Sequence, residues 1–302
     1  MYDLIIIGAG PAGITASVYA ARKRMNFLII SKDIGGQTVW SGDIENYTGQ
    51  QFITGPELAL KFEEHMRMYH INVKENEAVS GFTKIEETIK LETAKGSYQA
   101  RTLIIASGKR SKELNVPGEA QFKNKGLTYC ATCDGPLFAN KDVAVIGGGN
   151  SALDAVLQLV HIAKRVHLVN NTPFLGGDPI MRDKVTRHEK VTVYNKAQVI
   201  EVRGDTFVNG LRFLHDDKEE TIPLSGIFVE IGLIPNSEFA RVLEKNPLGE
   251  IKVDQYNRTN IPGVFAAGDV TDVPEKQIII AAGEGAKAAL SAFRYLSEHT
   301  FS

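Results

Sequence analysis

Twice in this chain an apolar run of strand length enters a glycine cluster and continues as a helical pattern. Residues 2–7 read as a buried strand, followed by Gly8-Ala9-Gly10-Pro11-Ala12-Gly13 and a helix expected over 14–24. In that context Gly8 permits the tight turn, Gly10 lets the backbone approach a pyrophosphate, and Gly13 lets helix and strand pack closely. Ala12, Ala16 and Ala20 recur at helical spacing and keep the helix small-sided. The pattern returns at residues 143–146, with Gly147-Gly148-Gly149-Asn150-Ser151-Ala152, a helix through about 162 and a strand over 166–169. One glycine cluster alone also suits an ordinary turn in another α/β protein. Two, each with a strand before and a helix after, predict an α/β fold with two dinucleotide-binding, Rossmann-like domains.

Between the two clusters lies Tyr129-Cys130-Ala131-Thr132-Cys133-Asp134-Gly135, which holds both cysteines of the chain. A thiolate attacks a disulfide in line, a neighbouring thiol resolves the mixed disulfide, and an acid protonates the departing sulfur. Cys130, Cys133 and Asp134 supply those three parts. A half zinc site is the alternative, but structural zinc takes four ligands and no further cysteine exists to complete it. An inert buried pair is the other. Cys-X-X-Cys in an α/β context reads first as a redox pair.

The 302 residues suffice for two domains, and a net charge of -2 leaves no electrostatic footprint for nucleic acid. The first apolar run is too short for a secretion signal and lacks a basic leader, and no run of membrane-spanning length follows. Two cysteines make no disulfide framework, so a reducing, cytoplasmic setting is expected.

The second strand is expected over 27–30, where Ser31 and Lys32 replace the usual terminal acid. Ile34-Gly35-Gly36-Gln37-Thr38 is a loop open to close backbone approach, with Trp40 after it. Residues 43–49 form a turn ahead of a helix starting near Thr54, where Thr54 and Glu57 suit a capping box. Residues 70–107 are β-rich, and Val116-Pro117-Gly118 marks a boundary. Strands are expected over 191–194, 199–202 and 227–236. Residues 263–270 form a strand ending in Gly268-Asp269, placing Asp269 to accept from a ribityl or ribose hydroxyl or to serve as a turn aspartate. A last helix over 276–296 carries Gly283 and Gly285, each costing roughly 1 kcal/mol relative to Ala unless a ligand or backbone comes close. Arg22-Lys23-Arg24 suits a helix C-terminus. The seven histidines are scattered without metal-ligand company, so surface or cap roles are expected and no metal site.

Taken together, Gly8 to Gly13, Gly35-Gly36-Gln37, Ile44-Glu45-Asn46, Cys130 to Gly135, Gly147 to Ala152, Gly268-Asp269 and Gln277-Ile278 carry a family resemblance along nearly the whole chain. The sequence resembles the low-molecular-weight thioredoxin reductases and equally the C-terminal domains of alkyl hydroperoxide reductase flavoproteins. The tail from Gly249 to Lys287 looks most like the second branch, whose added N-terminal thioredoxin-like domain is not expected here. The resemblance implies a disulfide-reductase-type fold, with an FAD domain over 1–111 and 241–302 and a second domain over 112–240 inserted into it. It places FAD on Gly8, Gly10, Pro11, Ala12 and Gly13, on Ser31, Gly36, Gln37, Asn46, Val79 and Gly108, and on Asp269, Gln277 and Ile278. A nicotinamide dinucleotide falls to Gly147, Gly148, Gly149, Asn150, Ser151 and Asn170. By the same resemblance Cys133 faces the flavin, Cys130 exchanges with a partner disulfide, and Asp134 is the acid-base. The resemblance also implies that the inserted domain rotates and that the protein is a homodimer.

One departure bears on the electron donor. Where NADPH-using thioredoxin reductases carry His-Arg-Arg and a later Arg, this chain has Asn170-Asn171-Thr172 and Gly176. No cation stands in that loop for a 2′-phosphate, so NADH is expected over NADPH. The NADH-using branch has a Glu at position 170, and Asn170 is left to meet a ribose hydroxyl without charge assistance. The expectation is a flavin-dependent reductase of thioredoxin or a thioredoxin-like protein. Two alternatives are a ferredoxin-dependent flavin thioredoxin reductase and a small-molecule dithiol oxidase. A flavin-binding interaction module leaves the cysteine pair without purpose.

Overall fold

The computed structural model describes residues 1–41, 43–44 and 46–299, with the side chains of Trp40, Asp43, Thr132 and Cys133 outside the description. Glu45, part of one motif above, also lies outside it. By its internal contacts the chain forms two units, residues 1–110 with 234–302, and residues 111–233.

The first fingerprint gives β1 (Tyr2–Ala9) and α1 (Pro11–Arg22). Pro11 opens the helix where its missing N–H is no loss, and the chain leaves it before Arg24, which takes φ 54°. β2 (Phe27–Ile34) runs on past 30, because Ser31 Oγ accepts from Ala9 N (3.1 Å) and Gly35 N donates to Ala9 O (2.7 Å). A short hairpin, β3 (Asp43–Ile44) and β4 (Ile53–Thr54), leads to α2 (Gly55–Arg67). Its capping box forms: Glu57 N donates to Thr54 Oγ1 and Thr54 N to Glu57 Oε2. β5 (Val73–Lys74), β6 (Val79–Ile85), β7 (Thr88–Thr93) and β8 (Gly96–Ile105) complete the β-rich stretch, and β9 (Lys109–Ser111) leads out of this unit.

In the second unit the order is α3 (Glu119–Phe122), β10 (Leu127–Thr128), α4 (Ala131–Asp134), β11 (Asp142–Ile146), α5 (Asn150–Leu159), β12 (Arg165–Val169), α6 (Pro179–Arg187) and β13 (Val191–Tyr194). A meander of β14 (Gln198–Gly204), β15 (Val208–His215) and β16 (Lys218–Pro223) follows, then β17 (Gly226–Val229). The strand expected over 227–236 is broken at Gly232, φ 100°, into β17 and β18 (Leu233–Pro235). Back in the first unit come β19 (Val264–Ala266) and α7 (Ile278–Glu298).

The first unit's sheet has the order β5-β2-β1-β8-β7-β6, with β19 on the C-terminal half of β8. Pairing is parallel from β5 to β8 and antiparallel from β8 to β6. Leu4 and Ile6 of β1 pack with the small side chains of α1 and α7, whereas Ile5 and Ile7 pack with Phe82, Ile89 and Leu91. Both faces of the strand are therefore covered, which is why its sequence is a continuous apolar run. Each such isoleucine contributes about 1.5–3 kcal/mol by leaving water.

The second unit's sheet is parallel, ordered β10-β17-β11-β12-β13. His167 on β12 departs from the surface role expected of the histidines. It is buried, its ring stacks on Tyr194 at 6.0 Å, and burial lowers its pKa.

Candidate active site

In the second unit, the ends of three adjacent parallel strands bring candidate residues together. β10 leads to Cys130, β11 to Gly147, and β17, which lies between them in the sheet, to Glu230. Ligands of open α/β sheets bind at such carboxyl ends.

Cys130 is disulfide-bonded, in a chain whose other cysteine is Cys133. Thr128 Oγ1 accepts from Cys130 N (3.2 Å) and donates to Asp134 Oδ2, and Asp134 N donates to Cys130 O (3.3 Å). One hydroxyl thus fixes both ends of the redox turn and aims the carboxyl of Asp134. Cys133 lies on α4, but the roles expected of its side chain fall outside the described residues. On the other side of Cys130, Tyr129 donates its hydroxyl to Glu119 (2.7 Å), whose carboxylate also takes Leu114 N and Asn115 N. Burial and that carboxylate push the Tyr129 hydroxyl well above its usual range. The arrangement presents a disulfide beside an oriented carboxyl, the parts thiol–disulfide exchange needs.

Gly147 sits at φ 141°, where a Cβ would stand 2.1 Å from Glu230 O, so only glycine passes this turn. Gly149 has open space around it and caps α5 without a side-chain hydrogen bond, and the first turn of α5 holds no acid. Its free N–H groups suit a pyrophosphate. Ser151 is exposed on that turn, and Asn150 Oδ1 accepts from Asp178 N (2.7 Å).

Asn170 differs from the rest of the nucleotide set. It is 1% exposed, its Nδ2 donates to Thr172 O (3.1 Å) and Asn195 Oδ1 (2.9 Å), and its Oδ1 accepts from Thr172 N and Oγ1. Both amide hydrogens and one lone pair are taken up inside the protein, while the single Thr172 hydroxyl proton also has Phe174 O at 2.7 Å. A Cβ on Gly148 would meet Asn170 Oδ1 at 2.3 Å. The side chain shapes the loop and has no spare N–H to give a ribose.

In the first unit the ends of β1, β8 and β19 come together. Gly8 takes φ 100°, and a Cβ there would lie 2.3 Å from Ala106 O. α1 begins beyond Gly10 with no side-chain cap, and Pro11, Ala12 and Gly13 form its first turn. Gly36 faces Gly10 so closely that a Cβ on it would be 3.1 Å from Gly10 Cα, and Gln37 beside it is exposed. Gly268 abuts Ala12, and the half-buried Asp269 next to it makes no side-chain hydrogen bond among the described residues. Burial raises the Asp269 pKa, while Lys276 and Lys109 pull against it. Asn46 Nδ2 donates to Gln277 Oε1 (3.0 Å), and Ile278 packs on Ile44, Ile53 and Leu58. Gly108 lies in open space at φ 62°. A bare helix N-terminus, a glycine-lined approach and an unpaired carboxylate fit a flavin dinucleotide.

Two FAD candidates stand differently. The Ser31 hydroxyl is buried, accepting from Ala9 N and donating to Asp33 O (2.6 Å). Val79 is half-buried at the start of β6, brought near β2 by Glu77 N donating to Ser31 O (3.0 Å). Thr128, Glu230 and Asp154 escaped the sequence reading. The signal for Glu230 was a lone charge ending an apolar strand, between two strands whose loops were already singled out.

The family model described as pyridine nucleotide-disulphide oxidoreductase matches residues 2–285. The chain belongs to that family. Its fold is that of the thioredoxin reductases. The thioredoxin reductase of Lactococcus lactis superposes with a TM-score of 0.90 at 34% identity, covering 99% of this chain and 100% of that one. That of T. acidophilum gives 0.87 at 36% identity, covering 98% of each. Among curated proteins, an NADH dehydrogenase of Bacillus subtilis is 42% identical over 299 residues, 98% of this chain and 58% of its own length. An alkyl hydroperoxide reductase component of Pseudomonas aeruginosa is 43% identical over 303 residues, again 98% and 58%. The chain therefore spans under two thirds of the length of these curated relatives. Among the described residues, no helix is long and apolar enough to cross a membrane, and no three His, Cys, Asp or Glu side chains cluster to hold a metal ion.

Proposed function

We propose that the chain is an FAD-dependent disulfide reductase of thioredoxin or a thioredoxin-like protein, acting through Cys130 and Cys133 with NADH as donor. The observation that carries this reading is the Cys130 disulfide at the end of β10, with only β17 between it and the strand that enters a nucleotide-binding glycine loop. Cys130 attacks the partner disulfide, Cys133 resolves the mixed disulfide, and Asp134, aimed by Thr128, handles the proton of the departing sulfur. FAD, when bound, relays an electron pair between nicotinamide and disulfide. Gly8, Gly10 and the first turn of α1 would hold its pyrophosphate, and Asn46, Asp269 and Gln277 would offer it polar contacts. The homodimer implied by the resemblance belongs to this reading.

The preference for NADH rests on the loop after β12, where residues 170–176 carry no Lys or Arg. Arg182 on α6 reaches the loop, but its Nη1 donates to Leu175 O (3.2 Å). Relatives named NADH dehydrogenase agree with that preference. Steady-state turnover with thioredoxin, and anaerobic flavin bleaching by NADH, NADPH and reduced ferredoxin, test both parts. NADH is expected to bleach the flavin fastest, and Cys130→Ser to retain FAD while losing disulfide turnover. Normal turnover by that variant would overturn the cysteine roles. Bleaching by ferredoxin alone would move the protein to the ferredoxin-linked class, and peroxide production from small dithiols without thioredoxin turnover to the dithiol oxidases.

A further inference from the structure

Parallel pairing sets Thr128 of β10 level with Phe228 of β17, so that two residues further on Cys130 and Glu230 leave the sheet side by side. On its other edge Glu230 is tied to β11, its N–H donating to Ile146 O (2.8 Å). The Glu230 carboxyl turns to the redox turn and accepts from the N–H of Ala131, one peptide unit from Cys130. It is a half-buried ionisable group that no step above uses.

We propose that Glu230 is a positioning residue for the redox cysteine: its carboxyl and the reduced Cys130 sulfur compete for one negative charge, so Glu230 sets how much of Cys130 is thiolate. The inference rests on the reading of Cys130 as the exchanging thiol.

One charged group faces Glu230. Asp154, on α5, is the charged group that acts on Glu230, while Asp134 on α4 is held by Thr128; the glycine loop after β11 and the end of β10 add none. Burial first and the Asp154 charge second raise Glu230 to about 8, against the Ala131 N–H. Near neutral pH the carboxyl is therefore largely protonated, and the neighbouring sulfur is free to ionise. Above that range the carboxylate forms one peptide unit from Cys130, and a like charge at that distance holds the thiol protonated.

A dithiol reductant gives two electrons to the disulfide, its S–S bond breaks, and the reductant closes to its own disulfide, releasing two protons. The enzyme sulfurs take up two protons if both become thiols, and one if Cys130 stays a thiolate. An ionised Glu230 favours the first case and a protonated Glu230 permits the second. The thiolate is the form that attacks a partner, so the carboxyl gates exchange without touching the partner.

The test uses the FAD-loaded protein reduced with dithiothreitol. Iodoacetamide capture of Cys130, read on its own peptide by mass spectrometry, is followed over roughly pH 6 to 10, the span of ordinary thiol titration. The wild-type curve is expected to spread over two proton steps, as coupled groups titrate. Glu230→Gln keeps an acceptor for Ala131 N–H but cannot ionise. Its curve is expected to narrow to one proton and reach its plateau at lower pH, with capture roughly two- to threefold faster just above pH 8. Superposable curves, or a Gln curve moved to higher pH, overturn the proposal. So does a single-proton curve in the wild type, whatever the variant's folding. Alkylation needs neither nucleotide nor partner protein, so a failure here is separate from a failure of disulfide turnover.

Discussion

Asn46 donates its side-chain amide to Gln277 Oε1 at 3.0 Å, joining the turn before α2 to the residue that caps α7, across 231 positions of sequence. Both residues were singled out by motif alone, as parts of separate stretches, and the fold makes them one polar contact. If that contact orders the flavin site, Asn46→Ala and Gln277→Ala each weaken FAD binding, and the double variant loses less than the sum. A coupling of about 1 kcal/mol is expected, measured by FAD fluorescence titration of the apoprotein.

Gly285 packs against the backbone of α1: a Cβ there would stand 2.0 Å from Ala12 O and 2.7 Å from its carbonyl carbon. Backbone cannot swing aside, so Gly285→Ala is expected to cost more than about 2 kcal/mol. Gly283, two positions earlier, has open space where its Cβ would go. Gly283→Ala is expected to stabilise the apoprotein by about 1 kcal/mol. Urea unfolding of the two apoproteins checks the contrast, and a loss of FAD affinity in Gly283→Ala alone would show that the flavin needs that space.

Glu250 is buried between two lysines, Lys109 Nζ at 2.8 Å and Lys276 Nζ at 3.2 Å, with Asn246 Nδ2 at 2.6 Å. Burial opposes its charge, but Lys109, Asn246 and Lys276 together hold the carboxyl at about 2 instead of 4.5. A carboxylate held low adds stability that is fully present above pH 4.5 and is lost as the pH falls toward 2. Glu250→Gln leaves two partly buried cations without a counter-charge and is expected to cost roughly 2 kcal/mol at neutral pH. The acid loss should be smaller in the variant, read as the melting temperature against pH.

The Asn171 side chain is exposed beside Asn170 and makes no hydrogen bond among the described residues. Asn171→Arg would add the missing cation without disturbing the amide network of Asn170. A charge-assisted contact to a 2′-phosphate is worth about 1.5–3 kcal/mol. NADPH is then expected to reduce the flavin at least tenfold more effectively than in the wild type, with NADH little changed, by stopped-flow absorbance.

Much of this fold was legible because its signals are local. Gly8 and Gly147 stand where a strand must turn into a helix, and the unbroken apolar run of β1 reports a strand covered on both faces. The same holds for Thr54 and Glu57, whose capping box needs no distant partner. What was not legible depended on distant pairing. β2 extends to Ile34 because Ser31 and Gly35 bond back to Ala9, and this removes the Ser31 hydroxyl from the set of free ligand contacts. Asn170 reads as a polar loop residue, yet Thr172 and Asn195 fold over it and take both of its amide hydrogens. Glu230 gains meaning only from strand order, which sets β17 between β10 and β11 although nearly the whole inserted unit separates them in sequence.

The central claim is that electrons from a nicotinamide dinucleotide reach the disulfide that holds Cys130. The FAD-loaded protein is mixed with NADH under anaerobic conditions, quenched with an alkylating reagent, and its Cys130 peptide weighed. The account predicts that Cys130 becomes alkylated as the NADH is consumed. A peptide that stays disulfide-bonded while the flavin is reduced would contradict it.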